Sequence, residues 1–167
     1  MIAALALVAI ASGISGCVVY GHSTYAPPLN APIATMTVFV SQDDYMQMSQ
    51  QSIYVSGDER MKDAGIFSLI NGASSGVDSL GSQLHNQPTS VEAGRRLYFF
   101  SSTRRPSYPS FQYCQGKVSF VPLNDHAYII QHDIVGAECR LVVIDQETRS
   151  PPPDFQTHAP TNDGNIW

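Results

Sequence analysis

From Ser90 to Ile144 the chain runs through short apolar and aromatic segments with only a few residues between them, and this spacing most limits what it can fold into. Ser90-Val91-Glu92-Ala93-Gly94 reads as a short strand and turn. It leads into Arg96–Ser101 (RLYFFS), whose aromatic residues suit a half-buried sheet. Lys117–Pro122, Ala127–Asp133 and Cys139–Ile144 follow, separated by Leu123-Asn124-Asp125 and by Val135-Gly136-Ala137. Parallel neighbours need a long crossover, so links this short predict an antiparallel meander. Upstream, Ala34–Val40 (ATMTVFV) alternates as a strand does, and Ser52–Val55 (SIYV) is a shorter candidate.

A helix is expected between these two groups of strands. Ser56-Gly57-Asp58-Glu59 fits a capping box, in which the serine hydroxyl and the glutamate carboxylate satisfy free amides at a helix start. Beyond it, Ile66, Leu69, Ile70, Ala73, Val77, Leu80 and Leu84 recur at three- and four-residue spacing, which places them on one helical face from about Asp58 to Leu84. Ala64, Ser68, Gly72 and Gly76 form a second stripe of small residues, with a kink expected near the glycines. The expected fold is therefore α+β: an antiparallel β-sheet or small β-sandwich of about six strands, with one glycine-containing helix packed on it.

Gly72-Ala73-Ser74-Ser75-Gly76 matches the G-x-S-x-G pattern of serine hydrolases. The nucleophile elbow needs a strand, a sharp turn and a helix around the serine, whereas here the helical spacing runs straight through Ser74. A small hydrolase using Ser74 with His85, His126 or His132 is the alternative from the enzyme class.

At 167 residues, 43% hydrophobic and only 14% charged, the chain has material for one packed domain and little room for a second core. Its formal net charge of −5 speaks against general nucleic-acid binding, which relies on cations at the phosphates.

Residues 1–16, MIAALALVAIASGISG, are uncharged and read as the apolar region of an export signal ending in small residues. The stretch Ile14-Ser15-Gly16-Cys17 resembles the lipobox of bacterial lipoproteins. The resemblance implies a diacylated Cys17 at the mature N-terminus, held in membrane lipid; an uncleaved anchor and a buried core helix are the competing readings. Each buried methylene contributes about 0.8 kcal/mol, so several acyl chains on one residue hold durably. Val18 is not the aspartate that tends to retain such lipoproteins at the inner membrane. The expected location is the bacterial cell envelope, at the outer membrane facing the periplasm.

On this reading residues 17–34 form a lipid-anchored tether rich in proline, with Pro27, Pro28 and Pro32 favouring extended backbone. Residues 35–149 form the globular domain, and 150–167 a polar proline-rich tail expected to be mostly unstructured. With Cys17 committed to lipid, Cys114 and Cys139 remain as an even pair in an exported chain, where a disulfide is expected. Both would lie near the same end of one sheet. Free buried thiols and a metal or nucleophilic site are the alternatives.

Ala93-Gly94, Leu97–Phe100, Cys114, Phe120-Val121-Pro122, Tyr128 and Cys139 are similar in order to the final sheet of small bacterial envelope lipoproteins. That resemblance implies a β-rich envelope domain and no known catalytic residue.

His126 and His132 would share a strand face, but at about 3.3 Å per residue they stand roughly 20 Å apart, too far to share an ion. No metal site and no cofactor is expected. Arg95, Arg96, Arg104 and Arg105 crowd together beside Tyr98, Tyr108, Phe111 and Tyr113. Arginines among aromatic rings bind phosphate, carboxylate or sugar-bearing surfaces, which makes Arg95, Arg96, Arg104, Arg105 and Tyr108 the candidate partner-binding residues. The functional expectation is a non-catalytic structural, assembly or partner-binding role with an envelope protein or glycan as partner. A small-ligand carrier is a further alternative.

Overall fold

Along Ile33–Phe39 every second side chain, Ala34, Met36 and Val38, is buried, as expected of a strand with one face on a core. The computed structural model describes residues 23–39, 50–71, 87–107, 109–135 and 138–160. Nine strands are defined there: β1 (Ile33–Phe39), β2 (Gln50–Ser56), β3 (Gly65–Asn71), β4 (Pro88–Glu92), β5 (Leu97–Ser107), β6 (Ser110–Phe120), β7 (Ala127–Val135), β8 (Glu138–Asp145) and β9 (Gln156–His158). They form a four-stranded sheet, β4-β1-β7-β8, and a five-stranded sheet, β3-β2-β5-β6-β9. All pairings are antiparallel except β1 with β7, where Thr35 to Phe39 run parallel to Ala127 to Gln131.

The core between the sheets is built on a run of rings. Tyr25 meets Phe67 edge-on, Phe67 meets Phe99 edge-on, Phe99 stacks on Phe120 with centroids 5.5 Å apart, and Phe120 contacts Tyr128 at 5.0 Å. Aliphatic residues from both sheets, among them Met36, Ile53, Val55, Leu97, Ile130 and Val143, fill the space around them. Two phenols of this run, the half-buried Tyr25 and the buried Tyr128, also do polar work: Tyr25 Oη accepts the Glu92 amide at 3.1 Å and Tyr128 Oη accepts the Leu123 amide at 3.0 Å.

The expected α+β class is overturned: the described residues contain no helix and form an all-β sandwich. The expected helix began at about Asp58, but residues 58–64 form a loop and Gly65–Asn71 is β3, paired antiparallel with β2. The helical stripe left out Phe67, and Phe67 is the side chain that reaches the core and packs on Phe99. Ile66, Leu69 and Ile70 fit a strand as well as a helix once β2 offers them an edge to pair with. The remainder of the expected helix, including Ser74, lies outside the described residues, as does His85. Ser56 does bond to backbone, but as a turn: its Oγ accepts the Asp58 amide at 2.9 Å and donates to the Asp63 carboxylate.

The expected meander is also divided. β7 and β8 are a hairpin, but β6 and β7 belong to opposite sheets. The link between them crosses the end of the sandwich and is tied to neighbouring chain: Asn124 Oδ1 accepts the Ile33 amide, and the Asp125 amide donates to the Ile33 carbonyl. At Gly94 the φ of +83° favours glycine, since a side chain there would be strained, and its amide donates to the Pro122 carbonyl across this same end.

Both proline-rich flanks pack on the domain over their described parts. Thr24 bridges Ile66 in parallel, with the Tyr25 amide donating to the Ile66 carbonyl and the Ile66 amide to the Ser23 carbonyl. The tail expected to be unstructured carries β9, which extends the five-stranded sheet by pairing with Lys117 to Ser119 of β6. His158 of β9 shares a 2.8 Å hydrogen bond between its Nε2 and Ser119 Oγ. Burial lowers the His158 pKa below its usual 6.5; Glu59 opposes this, and Lys117 and Arg96 reinforce it. The docked strand thus favours neutral imidazole, while the released strand takes up a proton once the pH drops below 6.5. Docking is therefore strongest above that pH and weakens on acidification. Amide exchange should show lower protection factors for β9 at pH 5.5 than at pH 7.5, with those of β5 unchanged; equal protection of β9 at both would count against the assignment.

Candidate functional site

A strand turns alternate residues to opposite faces, and the register of β2, β5 and β6 sets which ones meet on the outer face of the five-stranded sheet. Gln50 stands opposite Arg104, Ser52 opposite Ser102, Tyr54 opposite Phe100, and Arg104 opposite Tyr113. At one end of this face the Gly57–Ala64 loop folds over the sheet, so that Met61 and Ala64 bury Phe100 against Tyr54 and Tyr98. Beyond the loop a groove of about 220 Å³ opens, lined by Gln50, Ser52, Tyr54, Ser102, Arg104 and Tyr113. Tyr113 is 58% exposed, and the Tyr54 ring is steadied by Phe100 with centroids 6.3 Å apart. The groove offers aromatic faces, hydroxyls, an amide and a guanidinium within one shallow recess.

The four arginines of the sequence cluster are not one patch. Arg95 pairs with Glu92, Nε to Oε2 at 2.5 Å. Arg96 donates to Asp154 Oδ2 at 2.9 Å, to the Asp154 carbonyl and to Ser119 Oγ, fastening the tail to β6. Arg104 and Arg105 stand at the far end of β5, roughly 26 Å from Arg96 at strand rise. Arg104 reaches the groove; Arg105 is paired in register with Gln112 and is not among the groove residues. Tyr108 lies outside the described residues. Gln50, Ser52, Tyr54 and Ser102 were missed by sequence reasoning, because only strand pairing brings β2 beside Arg104. The available signal was the alternation of polar and apolar side chains in Ser52-Ile53-Tyr54-Val55.

A second constellation is buried between the sheets. His132 of β7, 5% exposed, has its Nδ1 at 2.8 Å from both Ser101 Oγ and Thr103 Oγ1 and at 3.4 Å from Gln51 Nε2. Its Nε2 lies 3.6 Å from Cys114 Sγ. Among the described residues two serines thus meet a histidine, Ser101 with His132 and Ser119 with His158, and both serines are fully buried, closed to any substrate in this conformation. Four members of the network come from one sheet and His132 from the other, so its hydrogen bonds fix how the sheets sit on each other.

Cys114 and Cys139 lie in opposite sheets, not in one meander as expected. A Cβ at Gly116 would stand 3.0 Å from Leu141 Cβ, so β6 and β8 pass closely, and the cysteine positions each fall two residues before these contact points. A bond between them would join the two sheets. Cys17 lies outside the described residues.

His126 and His132 do not meet. His126 Nδ1 is 2.9 Å from Asp145 Oδ2, and its Nε2 is 3.5 Å from Glu147. Among the described residues no group of three or more His, Cys, Asp or Glu side chains is placed to hold a metal ion. In comparisons with known proteins, no family model, no curated protein and no solved structure matches this chain.

Proposed function

We propose that this protein is a lipid-anchored β-sandwich of the bacterial cell envelope, tethered through acylated Cys17 at the outer membrane and facing the periplasm, with a non-catalytic binding role. The observation that carries the binding role is the outer-face groove in which Tyr54, Tyr113 and Arg104 are joined by Gln50, Ser52 and Ser102. Tyrosine rings stack on the apolar faces of sugars, hydroxyls and amides match sugar hydroxyls, and a guanidinium takes a carboxylate. The partner favoured by this combination is an anionic glycan. A Cys114–Cys139 disulfide would stabilise the domain by constraining the unfolded chain, by about 3 kcal/mol for a loop of this length.

The experiment is retention of the full protein on purified cell-wall glycan, with acyl mass on Cys17 checked on the processed chain. Arg104→Ala and Tyr113→Ala should each weaken retention about tenfold without lowering the melting temperature, since each loses one bidentate or stacking contact of about 1.4 kcal/mol. Arg96→Ala should leave glycan retention intact while loosening the tail. Unchanged retention in both groove variants, or none in the wild type, would remove the glycan reading.

A further inference from the structure

A second cavity, of about 260 Å³, shares no residue with the groove, and two opposite charges, Asp63 and Arg95, line it. Its walls are Ser23 to Ala26 and Pro28 from the segment before β1, Val55 to Gly57 at the end of β2, Gly65 at the start of β3, and the two charged side chains. Two glycines shape it. A Cβ at Gly65 would stand 2.8 Å from Tyr25 Cα, so glycine is what lets the proline-rich segment close this side. A Cβ at Gly57 would collide with the guanidinium of Arg95, which therefore lies directly on the backbone there.

Each charge is held in place by a neighbour, Arg95 by Glu92 from outside the cavity and Asp63 by Ser56 of its wall. Glu92 takes Arg95 Nε, which orients the guanidinium and leaves its terminal N–H groups over Gly57. Ser56, 2% exposed, donates its hydroxyl to Asp63 Oδ1, and its own oxygen is fixed by the Asp58 amide. Among the described ion pairs none joins Asp63 to Arg95. A carboxylate and a guanidinium lining one recess, each positioned and neither neutralising the other, complement a ligand that carries an ammonium and a carboxylate together. The cavity is slightly smaller than the roughly 300–1,000 Å³ typical of drug-sized sites, which suits a ligand of amino-acid size.

We propose that this cavity binds a small zwitterion, an amino acid or dipeptide with free ends, whose ammonium meets Asp63 and whose carboxylate meets the Arg95 fork. The proposal is independent of the glycan reading.

Calorimetric titration of the full protein with glycine, alanine and alanyl-alanine tests it, with N-acetylalanine and alaninamide as singly capped controls. At least one of the three zwitterions should bind with a dissociation constant of about 0.1–1 mM, and both capped compounds should bind at least about tenfold more weakly. Asp63→Asn and Arg95→Gln should each reduce affinity by about tenfold or more, and neither should alter glycan retention. Absence of heat with all three zwitterions up to 10-fold above that range, or capped compounds binding as well as free ones, would overturn the proposal. The capped-ligand comparison is made on the unaltered protein, so it decides the matter even if a variant is poorly folded.

Discussion

Phe99→Ala should destabilise the protein by about 3–5 kcal/mol, the range for removing a large aromatic side chain from a packed core. Phe99 has no exposed surface, and its ring is stacked on Phe120 and met edge-on by Phe67. The truncation therefore breaks the run of rings at its centre and leaves a void between the sheets. Because Tyr25 is anchored through Phe67, the segment before β1 should loosen with it. Urea unfolding measures the effect as a lowered midpoint at unchanged slope, and Phe99→Leu should recover a large part of the loss. A cost below 1 kcal/mol for Phe99→Ala would mean that these rings are not the centre of the core.

Asp145→Ala should have the next largest effect, about 2–3 kcal/mol, from losing hydrogen bonds to a charged and buried acceptor. Its side chain closes the turn after β8: Oδ1 accepts the amides of Glu147 at 2.8 Å and Thr148 at 3.3 Å, while Oδ2 faces His126 Nδ1 at 2.9 Å. Burial by itself raises this carboxyl's pKa, but the bond to His126 and the amides of Glu147 and Thr148 outweigh it, so the net shift is downward from 3.8. A carboxyl with a lowered folded pKa contributes stability that is complete above the unfolded value and is lost as the pH falls through the folded one. The contribution of Asp145 should thus be intact at neutral pH and disappear below about pH 3.8. Stability measured from pH 7 to pH 2 should fall less steeply at the acid end in Asp145→Asn than in the wild type. Superimposable acid limbs would refute the role given to this carboxylate.

The strand segments were legible because their periodicity is local. Ala34 to Val38 alternates, Leu97 to Phe100 is aromatic, and the turn after Ala93 favours a glycine, all of which follow from neighbours in sequence. Ile66, Leu69 and Ile70 misled because short apolar runs satisfy a helix and a strand alike, and the deciding partner, β2, is brought to them only by folding. The arginine cluster misled for a related reason. Closeness in sequence along a strand is distance in space, so Arg96 became part of the tail's fastening while Arg104, eight places on, joined a groove with residues of β2. His132 gave no sign of its surroundings, since Gln51, Ser101, Thr103 and Cys114 come to it from three strands of the opposite sheet.

By itself, then, the sequence determined the strands around residues 34–38, 53–55, 97–101 and beyond Lys117, that its composition suits one packed core, and that residues 1–16 are an uncharged apolar run before Cys17. Those properties depend on composition and on interactions within a few residues. The division of strands between two sheets, the parallel pairing of β1 with β7, the docking of both proline-rich flanks and the two charged or aromatic recesses were decided only by tertiary structure. The physical reason is that edge pairing and face packing are chosen by the free energy of the whole assembled core, and residues far apart in sequence contribute to it together.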